Sequence, residues 1–202
     1  MLVLCSTIVL SVVVLAISAS VSDLRLFYFY VLIFLAIFIV NILAKKIVAF
    51  YFEIETEIRL WEFSQYWFRK VDRFKKPLPM VWLPIVLALL SKGHILWMAL
   101  TEFRSRPGVG RVLKRHVQKF YYPTEWHLAL IVFFGILANN LFGVLAYFLS
   151  LNLLAKYSIY FAFWNLLPLS SLDGSKIFYG SRRLWIFSFV ISIGFLLFAL
   201  GI

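Results

Sequence analysis

Long apolar runs separated by short charged connections set the pattern of this chain. The first run extends from about Leu2 to Ala19 and the second from Leu26 to Ala44, where Lys45 and Lys46 close it. About 20 consecutive apolar residues suffice for a helix to cross hydrocarbon. The two runs, joined by the turn VSDLR, therefore predict a helical hairpin over residues 1–46. Ala16, Ser18 and Ser20 also resemble a signal-cleavage site, but no basic residue precedes the run, so the block is read as a retained span.

Residues 47–78 are too charged to cross a bilayer and form a second unit. Within it, FEIETEIRL alternates, with Phe52, Ile54, Thr56, Ile58 and Leu60 on one side and Glu53, Glu55, Glu57 and Arg59 on the other. A period of two predicts a half-buried strand, although Ile54, Ile58 and Trp61 also fit one helix face. From Trp61 the period changes. Phe63, Trp67, Val71 and Phe74 recur at helical spacing among basic residues, the pattern of an amphipathic helix lying among headgroups.

The third unit, 79–202, carries the remaining runs. A third span is expected at about Met80–Leu100, with LLSKGHILW near its centre. A basic connection follows, including a turn at RPGVG and interfacial anchors at Tyr121, Tyr122 and Trp126. A fourth span is expected at about Leu128–Leu151, a fifth from near Tyr157 and a sixth at about Leu184–Ile202.

Composition strengthens the membrane reading. The chain is 63% hydrophobic and 19% aromatic, with a mean hydropathy of +0.94, outside the range of an ordinary soluble domain. The fold class expected is an all-α polytopic protein of the cell membrane, with about six transmembrane helices, a short interfacial strand and an amphipathic helix. The net charge of +11 fits connections lying against anionic lipid headgroups better than nucleic acid, which is excluded as a partner. Six crossings divide the basic residues ten against nine, so the positive-inside rule sets no orientation. The single Cys5 cannot form an intrachain disulfide.

Ionisable residues deep in a span cost roughly 2.5–3.5 kcal/mol each on insertion scales and are functional candidates by default. Lys92 and His94 in the third span and Asp173 after the fifth qualify, with Asn139 and Asn140 as neutral companions. Each has an ordinary alternative: Asp173 as an exposed turn residue, Lys92 reaching to headgroups, His94 as a packing residue.

The arrangement of the polar residues resembles a known one. In NLLPLSSLDG, Asn165, Pro168, Leu172, Asp173 and Gly174 stand in the order of the N-x-x-P-x-x-x-L-D-G signature of the site-2 proteases, which are intramembrane zinc metalloproteases. GILANNLFGVLAYFL is similar to that family's G-x-x-x-N helix, and Gly93 and His94 match the usual ending of its H-E-x-x-H motif. The resemblance spans roughly Pro79–Ser181 and implies a discontinuous helix at the Asn-Pro-Asp-Gly motif. In the family two histidines and the distant aspartate hold zinc while the glutamate activates water. Here the first histidine and glutamate positions fall on Leu90 and Ser91, which can do neither.

The resemblance thus implies a degenerate site in which His94 and Asp173 are vestigial ligands, approach within hydrogen-bonding range and share a cavity with Leu90 and Ser91. No cofactor is expected. The leading functional expectation is a catalytically inactive pseudoprotease that binds or scaffolds transmembrane or extended protein segments, with the strand at 52–60 accepting one by edge pairing. Two alternatives stand beside it: an active zinc metalloprotease with a non-standard ligand set, and a small transporter whose polar pathway includes Lys92, His94 and Asp173.

Overall fold

The computed structural model describes residues 2–17, 24–65, 73–91, 96–106 and 124–201. Helix α1 (Leu2–Ile17) packs on α2 (Leu24–Tyr51), forming the expected hairpin. Helix α2 is longer than expected. It runs through Lys45 and Lys46 and across the unit boundary placed after residue 46. Its end is set by a backbone motif. Glu53 takes a left-handed conformation (φ 61°), letting Ile54 N–H reach back to Ala49 O at 2.9 Å and Glu53 N–H to Phe50 O at 3.1 Å.

The strand that follows, β1 (Glu55–Leu60), is shorter than the alternation suggested, because Phe52 belongs to the helix end and Ile54 is buried in the core. β1 pairs antiparallel with β4 (Thr101–Arg106), Glu55 opposite Arg106 and Leu60 opposite Thr101. A second ladder joins β2 (Glu62–Gln65) to β3 (Arg73–Pro79), with an irregularity between Phe63 and Gln65. These strands replace the amphipathic helix expected from Trp61, whose middle part, 66–72, lies outside the described residues. Pro77 and Pro79 fit the second of these strands, since proline is tolerated on an edge strand and disfavours helix in the turn before it. Buried Trp61 links the ladders, its N–H donating to Leu100 O at 2.8 Å and its carbonyl accepting from Met80 N–H at 3.2 Å.

The third span is also corrected. Among the described residues of that span only Leu83–Leu90 is helical (α3), and residues 96–100 form no helix although Trp97, Met98, Ala99 and Leu100 are buried. Apolarity alone does not separate a buried irregular or extended run from a helix. The following segment, read as a basic connection, begins with β4, and its RPGVG turn lies mostly outside the described residues.

The last four helices form the bundle: α4 (Glu125–Phe148), α5 (Asn152–Leu166), α6 (Asp173–Gly180) and α7 (Arg182–Gly201). Thr124 caps α4, its hydroxyl accepting from His127 N–H at 3.4 Å. α4 is the hub, packing on α2, α5 and α6, while α7 lies against α5 and α6. Close approach depends on small residues, as it does between helices in lipid. At Gly143 an added Cβ would come within 2.7 Å of the Ile159 side chain and 3.1 Å of Ala155 O on α5. Among the described residues, three helices are long and apolar enough to cross a membrane: Arg25–Tyr51, Glu125–Phe148 and Arg182–Gly201. Much of their surface facing away from the bundle is apolar, as at Leu32, Leu145 and Val190.

The tightest crossing sets up the site. A Cβ on Gly174 would fall 2.0 Å from Leu166 O and 2.6 Å from Leu167 O, so α6 begins directly against the end of α5. Gly174→Ala should therefore destabilise the fold by at least the roughly 1–3 kcal/mol of an overpacked site. Gly194→Ala, where nothing lies within 4 Å of the added carbon, should be neutral or stabilising by up to about 1 kcal/mol. Thermal unfolding of the two variants in detergent checks the contrast.

Candidate functional site: a buried ion pair at the start of α6

Asp173 is the first residue of α6 and has no exposed surface. It is not the solvated turn residue that its Leu-Asp-Gly setting allowed. α5 stops at Leu166, Pro168 lies in the break and Ser170 takes a left-handed conformation (φ 47°). The chain then re-enters helix at Asp173. A carboxylate in the first turn is favoured by the exposed N–H groups and the dipole of the helix. The larger requirement is a counter-charge, because an isolated buried carboxylate is too costly to keep ionised.

Lys45 supplies it from 128 positions away in the chain. Its ammonium donates to Asp173 Oδ2, and its side chain is only 6% exposed. The lysine stem needs a slot, which Gly135 on α4 provides: an added Cβ there would lie 2.7 Å from Lys45 Cε and 2.8 Å from Cγ. One turn earlier on α2, buried Asn41 donates from Nδ2 to Gly135 O at 3.1 Å. Asn41, Lys45 and Gly135 therefore form one contact between α2 and α4.

Further charges extend the site towards the strands. Lys176 Nζ lies 3.7 Å from Asp173 Oδ1 and donates to Ser171 O at 3.1 Å. Ser171 Oγ contacts both Glu102 Oε2 and Glu62 O, the latter at 3.2 Å. Glu102, buried on β4, also pairs with half-exposed Arg104. A line of alternating charge thus runs from Lys45 through Asp173, Lys176 and Glu102 to Arg104. Lys176 also lies over the Phe103 ring at 5.5 Å. Burial pushes its amine down to about 8, against the opposing pull of Asp173 and with a further push from Lys45. Beside this line, Trp61 stacks on Trp97 (5.6 Å, 19°), and Trp97 tilts against Trp164 near the end of α5 (4.6 Å, 43°). With buried Leu172, this aromatic group fixes the break from its other side.

The residues expected to share this place are distributed differently. Leu90 is 77% exposed, and Ser91 Oγ donates within its own helix to Ala88 O, so neither position is directed at Asp173. Lys92, Gly93 and His94 lie outside the described residues. Asn139 and Asn140 are buried on α4. Asn139 O accepts from Ser158 on α5 at 2.8 Å, and Asn140 Nδ2 donates to Ser192 on α7 at 3.4 Å. Asn165 is buried at the end of α5, where Nδ2 donates to Phe161 O at 2.8 Å. Thr56, Ile58 and Leu60 lie on β1 as expected; Phe52 packs on the His127 ring instead.

Among the described residues, the groups around Asp173 are not a zinc donor set. Catalytic zinc takes three protein ligands drawn from imidazole, carboxylate and thiolate. The Asp173 carboxylate instead faces two ammonium groups. Among the described residues, no three His, Cys, Asp or Glu side chains come together. Lys45 and Asn41 were missed because α2 reads as a plain span closed by two lysines. The available signal was their spacing of four, which puts both on one helix face.

The low Lys176 pKa has a signed consequence. Between pH 8 and 10.5 the unfolded chain keeps a proton on this amine that the folded chain has released, so stability rises with pH across that window. The difference in stability between the native chain and Lys176→Met should therefore grow by up to about 3 kcal/mol from pH 8 to 10.5, measured by unfolding at a series of pH values. Comparison with known protein families, with curated proteins and with solved structures gave no match, so the reading of this site rests on its own geometry.

Proposed function

We propose that the chain is a degenerate, catalytically inactive relative of the site-2 proteases. In this reading it is a multi-pass integral membrane protein of about six crossings, interrupted after Leu166, that binds or scaffolds transmembrane or extended protein segments. The observation that carries the reading is the buried Asp173 held by a lysine ammonium. The signature aspartate is kept at the start of a helix that follows a proline break, yet its partner cannot polarise a carbonyl or activate water as zinc does. A signature aspartate engaged by a lysine ammonium, rather than free to hold a metal, supports binding over hydrolysis.

The strands offer the surface for it. β1 is paired with β4 on one side, and within the described residues its other edge carries no ladder. Unpaired backbone groups on such an edge accept an extended segment by strand addition. The ladder is joined to the Asp173 break through Glu102 on β4 and Ser171, so a segment added at the open edge of β1 would be connected to that break through the two strands.

A single-span peptide with an extended juxtamembrane tail, reconstituted with the protein in nanodiscs, tests this. The peptide should stay intact with or without added zinc. It should label from a photoactivatable side chain placed at Glu55 or Arg59 well above the level from one at Ile186 on the outer face of α7. Chelator-sensitive cleavage would favour an active metalloprotease instead, and equal labelling from all three positions would contradict the edge-binding surface.

A further inference from the structure

We infer that Asn41, Lys45 and Asp173 occupy the three positions of a former metal centre, with the Lys45 ammonium standing where the ion would be. The inference rests on the site-2 protease reading and moves the vestigial motif from the third apolar run to α2. Residues four apart on a helix are separated by about 40° and one turn of rise, the relation by which two histidines on one helix hold a shared metal. Asn41 and Lys45 have that relation and are both buried, whereas the intervening Leu43 is exposed. The third position comes from another helix, as the buried carboxylate at the start of α6.

Two details argue against an incidental salt bridge. First, the Lys45 stem lies in a slot that any side chain at residue 135 would fill, and the backbone of that same glycine accepts from Asn41. The glycine thus accommodates both residues of the pair. Second, Asp173 Oδ1 is buried and accepts no hydrogen bond, so the Lys45 ammonium engages one oxygen and leaves the other at 3.7 Å from Lys176. The Lys176 ammonium is held elsewhere, by Ser171 O at 3.1 Å, so Oδ1 is a carboxylate lone pair left open inside the protein beside the Lys45 ammonium. Asn41, Ile42 and Lys45 then fall at the H, E and second H of an H-E-x-x-H register. Ile42 has no carboxylate to serve as a base.

The experiment is metal loading of variants of the full-length protein, purified in detergent and dialysed against zinc. Asn41→His with Lys45→His should bind about one zinc per chain, which Asp173→Asn should abolish in the same background. The unsubstituted chain should bind less than a tenth of that. A variant with the native elution profile and tryptophan signal that takes up no zinc, or keeps it without Asp173, overturns the inference. Leu90→His with Ser91→Glu is run in parallel. Zinc bound there through Asp173, and not at the α2 pair, overturns this assignment while sparing the family reading; zinc at neither removes support from both. If the α2 double variant does not fold, Lys45→His alone decides: it should bind at least tenfold more zinc than the unsubstituted chain and lose that gain once Asp173→Asn is added. Absence of the gain, or its survival without Asp173, overturns the inference.

Discussion

A carboxylate with no exposed surface must give up its charge or be met by an opposite one inside the protein, and most of this architecture follows from how Asp173 is met. Lys45 comes from α2 and Asp173 from α6, so their contact fastens the N-terminal hairpin to the C-terminal bundle. Gly135 leaves space for the lysine stem, and Gly174 lets α6 start against the backbone of α5. An alanine at 174 would meet backbone that cannot move aside, whereas one at 135 would displace the Lys45 stem from its slot.

The strands are best understood from the same centre. They do not merely cap the bundle. Glu102 on β4 holds Ser171, and the carbonyl of Ser171 holds Lys176, so the break between α5 and α6 is tied to the ladder at one end and to the ion pair at the other. The Trp61, Trp97 and Trp164 rings fill the space beside it. An extended segment added to β1 would therefore act on an element already coupled to Asp173. This gives the proposed binding role a physical connection to the buried ion pair.

Much of this was legible in the residues. Helices α2, α4 and α7 follow from unbroken apolar runs, and the bend at 167–172 follows from Pro168 and the serines after it. The strand at Glu55–Leu60 follows from alternation. The ladder partner of that strand did not, because TEFRSR has no apolar stripe and takes its form from pairing. Trp97–Leu100 misled for the opposite reason, being apolar enough for a span while its backbone is used by Trp61. Lys45 was hidden by its position. A lysine after an apolar run ordinarily marks a helix end at the headgroups, and only the continuation of α2 to Tyr51 turns it inward.

The central claim is that Lys45 and Asp173 stabilise the fold as a pair, each being harmful without the other. A double-mutant cycle with Lys45→Met and Asp173→Asn, followed by unfolding in detergent, measures this directly. Each single change should cost about 3–5 kcal/mol by leaving a buried charge unmatched, and the double variant should cost clearly less than the two together. Additive losses, or a single substitution with no effect on stability, would contradict the account.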